Sequence, residues 1–187
     1  MVEIRIHGRG GQGAVVASKI LAIAFFKEGK YVQSFPAFGV ERRGAPVAAF
    51  VRTGHEFIYL RTEIYQPDHV IVLDPTLIGP IAVTGGLRDG GWVLINSEKE
   101  PHQYHNLSPS HYYRIATVDA NHIATQHHLG SPTNPIVNTA ILGAFARISN
   151  LVSIESVEEA IKEEVPVDRE ENARAARNAY LKVVYEG

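Results

Sequence analysis

The spacing of apolar residues changes sharply near the start of the chain. Val2, Ile4 and Ile6 alternate with polar neighbours, the period of two that is typical of a β-strand. From Ala14 to Phe26 the sequence is almost continuously apolar, which predicts a helix that is covered on more than one side. Gly29 follows, and glycine is typical just after a helix C-terminus. The first thirty residues therefore predict a strand, a short loop and a helix.

Later apolar runs predict further strands and helices. Asn134-Pro135 is expected to be the N-cap and first turn of an apolar helix that continues to about Ile148. Charged residues become frequent after residue 154 and alternate with apolar ones at helical spacing. These patterns predict strands at 31–35, 45–52, 69–74, 92–95 and 112–118, and amphipathic helices at 154–164 and 169–184.

The order of these elements predicts the fold class. Strands that alternate with helices indicate an α/β protein, because parallel strands need a crossover connection between them. We expect one Rossmann-like domain over residues 1–187, with a mostly parallel sheet and helices on both faces. The loop between the first strand and the first helix should then lie at the carboxyl end of that strand.

Composition excludes several kinds of chemistry. The 187 residues include no cysteine, so the chain cannot supply a disulfide, a thiolate zinc site or the thiolate ligands of an iron–sulfur cluster. A net charge of −2 gives no broad positive field for nucleic acid or anionic lipid. No apolar run is long enough for a membrane span. We therefore expect a cytoplasmic protein with neither nucleic acid nor a membrane as a partner.

The loop after the first strand, Gly8-Arg9-Gly10-Gly11-Gln12-Gly13, is called the glycine loop below. A glycine turn before a helix presents free backbone N–H groups to a phosphate or carboxylate. Nearby basic residues favour an anion. They are Arg9, Lys19, Arg42 and Arg43. Two alternatives stay open: the glycines only allow close packing of strand and helix, and the two later arginines form salt bridges with Glu41 or a partner subunit.

A nicotinamide or flavin dinucleotide site needs an acidic residue at the end of the second strand, to bind the ribose hydroxyls. That strand ends at Gln33-Ser34-Phe35, and the nearby Glu28 falls at the end of the helix. This argues against a free-standing dinucleotide-binding redox protein. A non-catalytic interaction module with an empty glycine loop is the other alternative.

Six of the nine histidines lie between His102 and His128, where proline, serine and asparagine are frequent. No acidic residue stands at a tight helical spacing to complete a metal site. We interpret this region as a variable loop near a subunit interface. The sequence thus indicates neither a metal site nor a catalytic side chain in this chain.

Several motifs together resemble one enzyme family. They are the glycine loop, Ser18-Lys19, residues 36–46 (PAFGVERRGAP), Asp74-Pro75-Thr76 and residues 134–144 (NPIVNTAILGA). The chain resembles, over nearly its whole length, the gamma subunits of pyruvate:ferredoxin oxidoreductase (pyruvate synthase) and related 2-oxoacid oxidoreductases. The resemblance implies oxidative decarboxylation of a 2-oxoacid with coenzyme A, giving acyl-CoA, carbon dioxide and reduced ferredoxin.

The resemblance also implies how the chemistry is divided among subunits. Thiamine diphosphate, magnesium and [4Fe-4S] clusters would sit on alpha, beta and delta partners, and ferredoxin would bind through the complex. This chain would be inactive alone. Its glycine loop and Lys19 would face the coenzyme A pyrophosphate, and the basic residues Arg42 and Arg43 named above are further candidates for this anion. The alternative is that the subunit scaffolds the complex and shapes the active-site channel. The resemblance favours pyruvate as the 2-oxoacid.

Overall fold

The computed structural model describes residues 1–37, 43–107 and 113–185. Its centre is a seven-stranded sheet in the order β2-β3-β1-β4-β5-β6-β9, and β7 and β8 form a separate two-stranded hairpin. The strands are β1 (Val2–Arg9), β2 (Tyr31–Pro36), β3 (Pro46–Gly54), β4 (His69–Val72), β5 (Trp92–Asn96), β6 (Arg114–Val118), β7 (Gly130–Ser131), β8 (Asn134–Pro135) and β9 (Val184–Tyr185).

The middle of the sheet is parallel and its edges are antiparallel. Strands β1, β4, β5 and β6 pair in parallel, whereas β3 runs antiparallel to both β1 and β2, and β9 runs antiparallel to β6. Five of the seven strands therefore point the same way, which confirms the predicted α/β fold with a mostly parallel sheet. The central strands are apolar on both faces, as Val70, Ile71 and Val72 show, because both faces of the sheet are covered.

The two faces are covered differently. The α-helices are α1 (Ala14–Lys27), α2 (Ala120–Gln126), α3 (Ala140–Ser149), α4 (Ile154–Glu164) and α5 (Arg169–Lys182), and all five contribute to one apolar core. The opposite face buries Val70, Val72 and Ile95 under two 3₁₀-helices, Pro75–Leu77 and Pro101–Leu107, and the segments around them. Helices thus cover both faces, as predicted, but those on the second face are 3₁₀-helices.

Helix α1 has the extent that its apolar run predicts, and it is covered by the sheet and by α4. Its last residue, Lys27, forms an ion pair with Glu163 of α4, with Nζ 3.0 Å from Oε2. Gly29 has a φ of 78° and ends the helix as expected. Among the described residues, no helix combines the length and apolar composition needed to cross a bilayer.

The prediction for Asn134-Pro135 was wrong. These residues form β8, which pairs with β7, and α3 begins only at Ala140. The Asn134 backbone N–H donates to Ser131 Oγ at 3.1 Å, so its hydrogen bonds are used in a tight hairpin rather than in capping a helix. Local residue preference suited an N-cap, but the hairpin pairing overrides it.

The last predicted helix was also too long. Helix α5 ends at Lys182, and Val184 and Tyr185 pair with Thr117 and Ala116 of β6. The outer edge of β6 carries backbone N–H and C=O groups that need partners. The short strand β9 supplies them at the far edge of the sheet.

Candidate functional site

The candidate site lies at the carboxyl ends of β1 and β4, where the chain leaves the sheet on opposite sides. After β1 the chain enters α1 on the helical face, whereas after β4 it passes to the other face, where Leu77, Val83 and Leu87 are buried. In open α/β sheets, such divergence opens a crevice that binds ligands. The glycine loop forms one wall of this crevice, as the sequence predicted.

Asp74 joins the glycine loop to the end of β4. Its Oδ2 accepts hydrogen bonds from Arg9 Nε at 3.0 Å and from Gln12 Nε2 at 3.1 Å. Its Oδ1 accepts from the backbone N–H of Thr76 at 2.9 Å and from Thr76 Oγ1 at 2.6 Å. We call these four residues, Arg9, Gln12, Asp74 and Thr76, the Asp74 latch. The Arg9 guanidinium also donates to Thr76 Oγ1 and to the Gly44 carbonyl.

The latch stabilises the ionised form of Asp74. Burial of the carboxyl opposes ionisation, but the hydrogen bonds from Thr76 and Gln12 and the positive charge of Arg9 outweigh it. The pKa of Asp74 is therefore lower than its usual value. The latch holds an anionic carboxylate beside the loop at neutral pH.

Part of the loop backbone is already occupied. The Arg9 N–H donates to Gln12 Oε1 at 2.7 Å, and the Gly10 N–H donates to the Ala45 carbonyl at 2.8 Å. Helix α1 starts with Gly13 as its N-cap, and Ala17 N–H donates to the Gly13 carbonyl. The N–H groups that precede this first helical bond have no partner within the helix. The backbone donors offered to a ligand therefore lie at the start of α1 rather than along the whole loop.

Gly13 is required for both its conformation and its packing. Its φ of 78° is in the left-handed region, and a Cβ there would collide with the side chain of Asn138. Asn138 is buried, and its Nδ2 donates to the Gly13 carbonyl at 3.3 Å. The segment before α3 is thus packed directly against the start of α1.

The structure separates the predicted site residues into different environments. Gly8 allows close packing, since a side chain there would lie 3.2 Å from Leu73 Cδ1. Arg43 is exposed and pairs through its backbone with Gly10. Lys19 Nζ donates to Glu164 Oε1 at 2.7 Å, at the end of α4. Arg42 lies outside the described residues.

Two clefts meet at the glycine loop. The loop cleft, of about 560 Å³, is lined by residues 9–12 of the glycine loop and by Arg43, Gly44 and Asn134. The edge cleft, of about 890 Å³, follows the carboxyl ends of β4, β5 and β6. Gln12 and Asn134 line both clefts and form the ridge between them. The volume of the edge cleft is within the range of small-molecule sites.

Two residues of the site were not predicted as such. Asp74 appeared only within a family motif, and Asn96 at the end of β5 was not singled out. The buried Asn96 donates to the Leu73 carbonyl at 2.9 Å and accepts from the Ala120 N–H at 2.9 Å, which ties β4 and α2 to β5. The signal available in the sequence was a polar residue directly after each apolar strand. Asp119 is the N-cap of α2, and its side chain accepts a hydrogen bond from the His122 N–H.

The fold does not favour a dinucleotide site. In a Rossmann site, the second strand lies beside the first and carries the ribose-binding acid at its end. Here β3 lies between β1 and β2, and Ser34 near the end of β2 contacts Ser18 of α1 at 2.9 Å. The end of β2 is therefore remote in strand order from the position that the ribose would need.

Comparison with known proteins shows the family of the chain. The family model for pyruvate ferredoxin/flavodoxin oxidoreductase matches residues 3–181. The chain belongs to this family. The resemblance stated from the sequence is thereby confirmed.

Full-length relatives of the chain are gamma subunits. The chain is 55% identical over 188 residues to the "Pyruvate/ketoisovalerate oxidoreductases common subunit gamma" of Thermococcus kodakarensis, and the match covers 100% of both chains. It is 37% identical to pyruvate oxidoreductase subunit PORC of Thermotoga maritima. That crystal structure has a TM-score of 0.84, and the match covers 100% of this chain and 98% of the other.

A third match shows the fold alone, since the identity is 17%. It is to a 2-oxoglutarate:ferredoxin oxidoreductase from Magnetococcus marinus that holds 2-oxoglutarate, coenzyme A and succinyl-CoA. The TM-score is 0.71, and the match covers 96% of this chain but 30% of that longer one. The same fold therefore occurs as one part of a larger oxidoreductase chain.

Proposed function

We propose that this chain is the gamma subunit of a multi-subunit oxidoreductase that converts pyruvate and coenzyme A to acetyl-CoA and carbon dioxide and reduces ferredoxin. The observation that carries this proposal is the full-length match to gamma subunits, in which neither chain extends beyond the other. We propose the whole chain, residues 1–187, as one domain of that subunit.

The residues present do not fit the redox cofactors of such an enzyme. Iron–sulfur clusters need thiolate ligands, and the chain has no cysteine. Within the ranges that the structure describes, no three metal-ligating side chains come together. We therefore assign thiamine diphosphate, magnesium and the [4Fe-4S] clusters to alpha, beta and delta partner subunits, which also contact ferredoxin.

The contribution of this chain is to bind coenzyme A in the loop cleft. A pyrophosphate there would meet Gly11 and Arg43, while the latch fixes Arg9 beside it. Gly11, with a φ of 97° and open space around it, lets a phosphate approach the backbone. Lys19 would reach this ligand only after leaving Glu164.

Purification from the native cells tests the subunit assignment. We expect the chain to copurify with thiamine- and cluster-containing subunits, and the complex to reduce ferredoxin only when pyruvate and coenzyme A are both present. A chain that elutes alone and without this activity would contradict the assignment. Binding of NADH by the isolated chain would then revive the dinucleotide alternative.

Kinetics of the assembled enzyme test the binding role. Arg43→Gln should raise the KM for coenzyme A by about tenfold, the loss expected for one hydrogen bond to a charged group, and leave the KM for pyruvate unchanged. Arg174→Gln is the matched control, because Arg174 is an exposed arginine of α5 that pairs with Glu171 away from both clefts. An unchanged KM for coenzyme A in Arg43→Gln would overturn the binding role.

A further inference from the structure

The two edges of the seven-stranded sheet differ in how their backbone is covered. At one edge, β9 pairs with β6. At the other edge, β2 pairs with β3 on its inner side, and no described segment pairs with its outer side. Strand β2 has six residues and none is charged, although charged side chains are one means by which edge strands avoid pairing. The outer edge of β2 is therefore suited to pair with another strand.

The hydrogen bonds to β3 show which backbone groups of β2 point outward. The Ala37 N–H donates to the Ala48 carbonyl at 2.8 Å, which continues the β2–β3 register by one pair. In antiparallel sheets, hydrogen-bonded positions alternate along each strand. The odd-numbered residues of β2 therefore direct their backbone groups towards β3, whereas Val32 and Ser34 direct theirs to the outer edge. None of the described loop hydrogen bonds uses these outward groups.

Exposed aromatic side chains lie beside this edge. Gln33 Nε2 donates to the Ile58 carbonyl at 3.0 Å, so the odd-numbered residues of β2 face the segment after β3 rather than α1. On that face the Tyr31 ring lies 6.0 Å from the Phe57 ring, which lies 4.8 Å from the Tyr59 ring. Tyr31 is 49% exposed, Phe57 is 55% exposed and Tyr59 is 81% exposed. Aromatic side chains exposed together are typical of a protein interface.

We propose that the outer edge of β2 pairs with the same edge of a second copy of this chain, antiparallel and about a two-fold axis at Gln33. In that register, Val32 of each copy lies opposite Ser34 of the other. Because both residues direct their backbone groups outward, each such pair exchanges two hydrogen bonds. The result is an isologous interface that continues the sheet from one copy into the next. The proposal concerns the edge strand alone and does not rest on the proposed function.

Backbone hydrogen bonding selects this register over its neighbours. An axis at Ser34 would place Val32 opposite Pro36, which has no N–H to donate. An axis at Val32 would place Ser34 opposite Lys30, whose N–H already donates to the Phe25 carbonyl at 3.2 Å. The proposed axis avoids both losses.

The side chains suit the same register. Tyr31 lies opposite Phe35 of the second copy in a non-hydrogen-bonded pair, the arrangement that brings facing side chains closest. Phe35 already packs on Phe50 with ring centres 5.2 Å apart, so the aromatic cluster would continue across the axis. Gln33 meets its own copy on the axis, where an amide can both donate and accept. Since β2 carries no charged side chain, no like charges face each other along the paired strands.

The absence of cysteine allows a direct test of the register. Gln33→Cys places one thiol per chain on the axis, where the facing Cα atoms would be about 4.5 Å apart, a separation that a disulfide can span. We expect this full-length variant to form an interchain disulfide under a mild oxidant, detected on a non-reducing gel. Ser34→Cys is the matched control, because its two thiols would be diagonal, with Cα atoms about 7–8 Å apart, and should not link. A disulfide in Ser34→Cys in place of Gln33→Cys would overturn the register.

Analytical ultracentrifugation of the full-length chain tests the interface without an added thiol. Ser34→Pro removes one outward N–H from each copy and should raise the dissociation constant of the dimer by about thirtyfold. Ser34→Ala loses only the side-chain contact with Ser18 and should leave this constant unchanged.

Gln33→Glu is a second variant that leaves the backbone unaltered. It places two carboxylates opposite each other on the axis and should weaken the dimer several-fold, because like charges directly opposite are destabilising. Circular dichroism checks that each variant is folded. A wild-type chain that stays monomeric, together with no disulfide in Gln33→Cys, would overturn the proposal, and the open edge would then be a contact for a different subunit.

Discussion

The sheet contains two arginine–carboxylate pairs of similar geometry in very different surroundings. Arg52 Nε lies 2.8 Å from Glu3 Oε1, and Arg9 Nε lies 3.0 Å from Asp74 Oδ2. The Arg52 side chain is 1% exposed, whereas that of Arg9 is 32% exposed. Similar distances therefore do not mean equal roles: the first pair, called the inner pair below, lies within the core, and the second, called the rim pair, lies at the rim of a cleft.

The two members of the inner pair, Arg52 and Glu3, each have further interaction partners. The Arg52 guanidinium also donates to the Glu63 carbonyl at 3.3 Å and lies 5.3 Å from the centre of the Phe35 ring. Arg88 adds a second cation for Glu3 at 3.5 Å. Burial of a charge without such partners is costly, so removal of one member of the inner pair should destabilise the fold. The rim pair instead joins the two loops that border the proposed coenzyme A site.

The largest expected effect comes from breaking the inner pair. Glu3→Ala leaves the buried Arg52 charge without its carboxylate and should lower the free energy of unfolding by about 3–5 kcal/mol, measured by urea denaturation. The double variant Glu3→Leu/Arg52→Met removes both charges and should recover most of this loss. A loss in Glu3→Ala no larger than that at the rim pair would show that the two pairs are equivalent.

An intermediate effect is expected from acid, through two histidines on the central strands. Burial, with a smaller contribution from the charge of Arg5, lowers the pKa of His7 to about 4, and burial lowers that of His69 to about 4 despite the opposing charge of Asp68. The unfolded chain binds these protons near pH 6.5, so stability is complete above that pH and is lost as the pH falls towards 4.

At about pH 4.5 each histidine should lower the free energy of unfolding by on the order of 2 kcal/mol relative to neutral pH. The measurement is the free energy of unfolding between neutral pH and that value. His7→Gln/His69→Gln should show a shallower dependence, because glutamine does not titrate. An equally steep dependence in that variant would assign the acid sensitivity to the carboxylates instead.

The smallest expected effect on stability comes from the rim pair. Asp74→Asn removes the charge that holds Arg9 and should lower the free energy of unfolding by less than about 1 kcal/mol, as for other partly exposed pairs. Amide hydrogen exchange at residues 9–12 should nevertheless become faster, because the loop loses its anchor to β4. Arg43→Gln leaves the latch intact and is the control. Unchanged exchange in Asp74→Asn would show that the loop holds its shape without the latch.

Elements with a strong periodic pattern were predictable. Helix α4 has the predicted bounds, Ile154–Glu164, because its apolar and charged residues alternate at helical spacing. The position of the glycine loop followed from the strand before it and the helix after it. Local pattern does not reveal which strands pair, so the insertion of β3 between β1 and β2 was not foreseen.

The site was less predictable than the fold. The Asp74 latch joins residues 65 positions apart, and no local pattern links Arg9 to Asp74. Lys19 was predicted to face the anion because it lies close to the glycine loop in the sequence. Its pairing with Glu164 instead depends on how α4 packs against α1. Both relationships are set by tertiary packing, which periodicity and composition do not describe.

The central position of β1 has a consequence for how the protein is made. Its two neighbours, β3 and β4, both come later in the chain, so the ribosome produces the middle of the sheet before either partner exists. Until then, the nascent strand exposes Ile4 and Ile6 together with unpaired backbone on two edges. Such a strand is prone to pair with another nascent chain. Slow synthesis through residues 46–72 should therefore increase aggregation more than slow synthesis of the C-terminal helices.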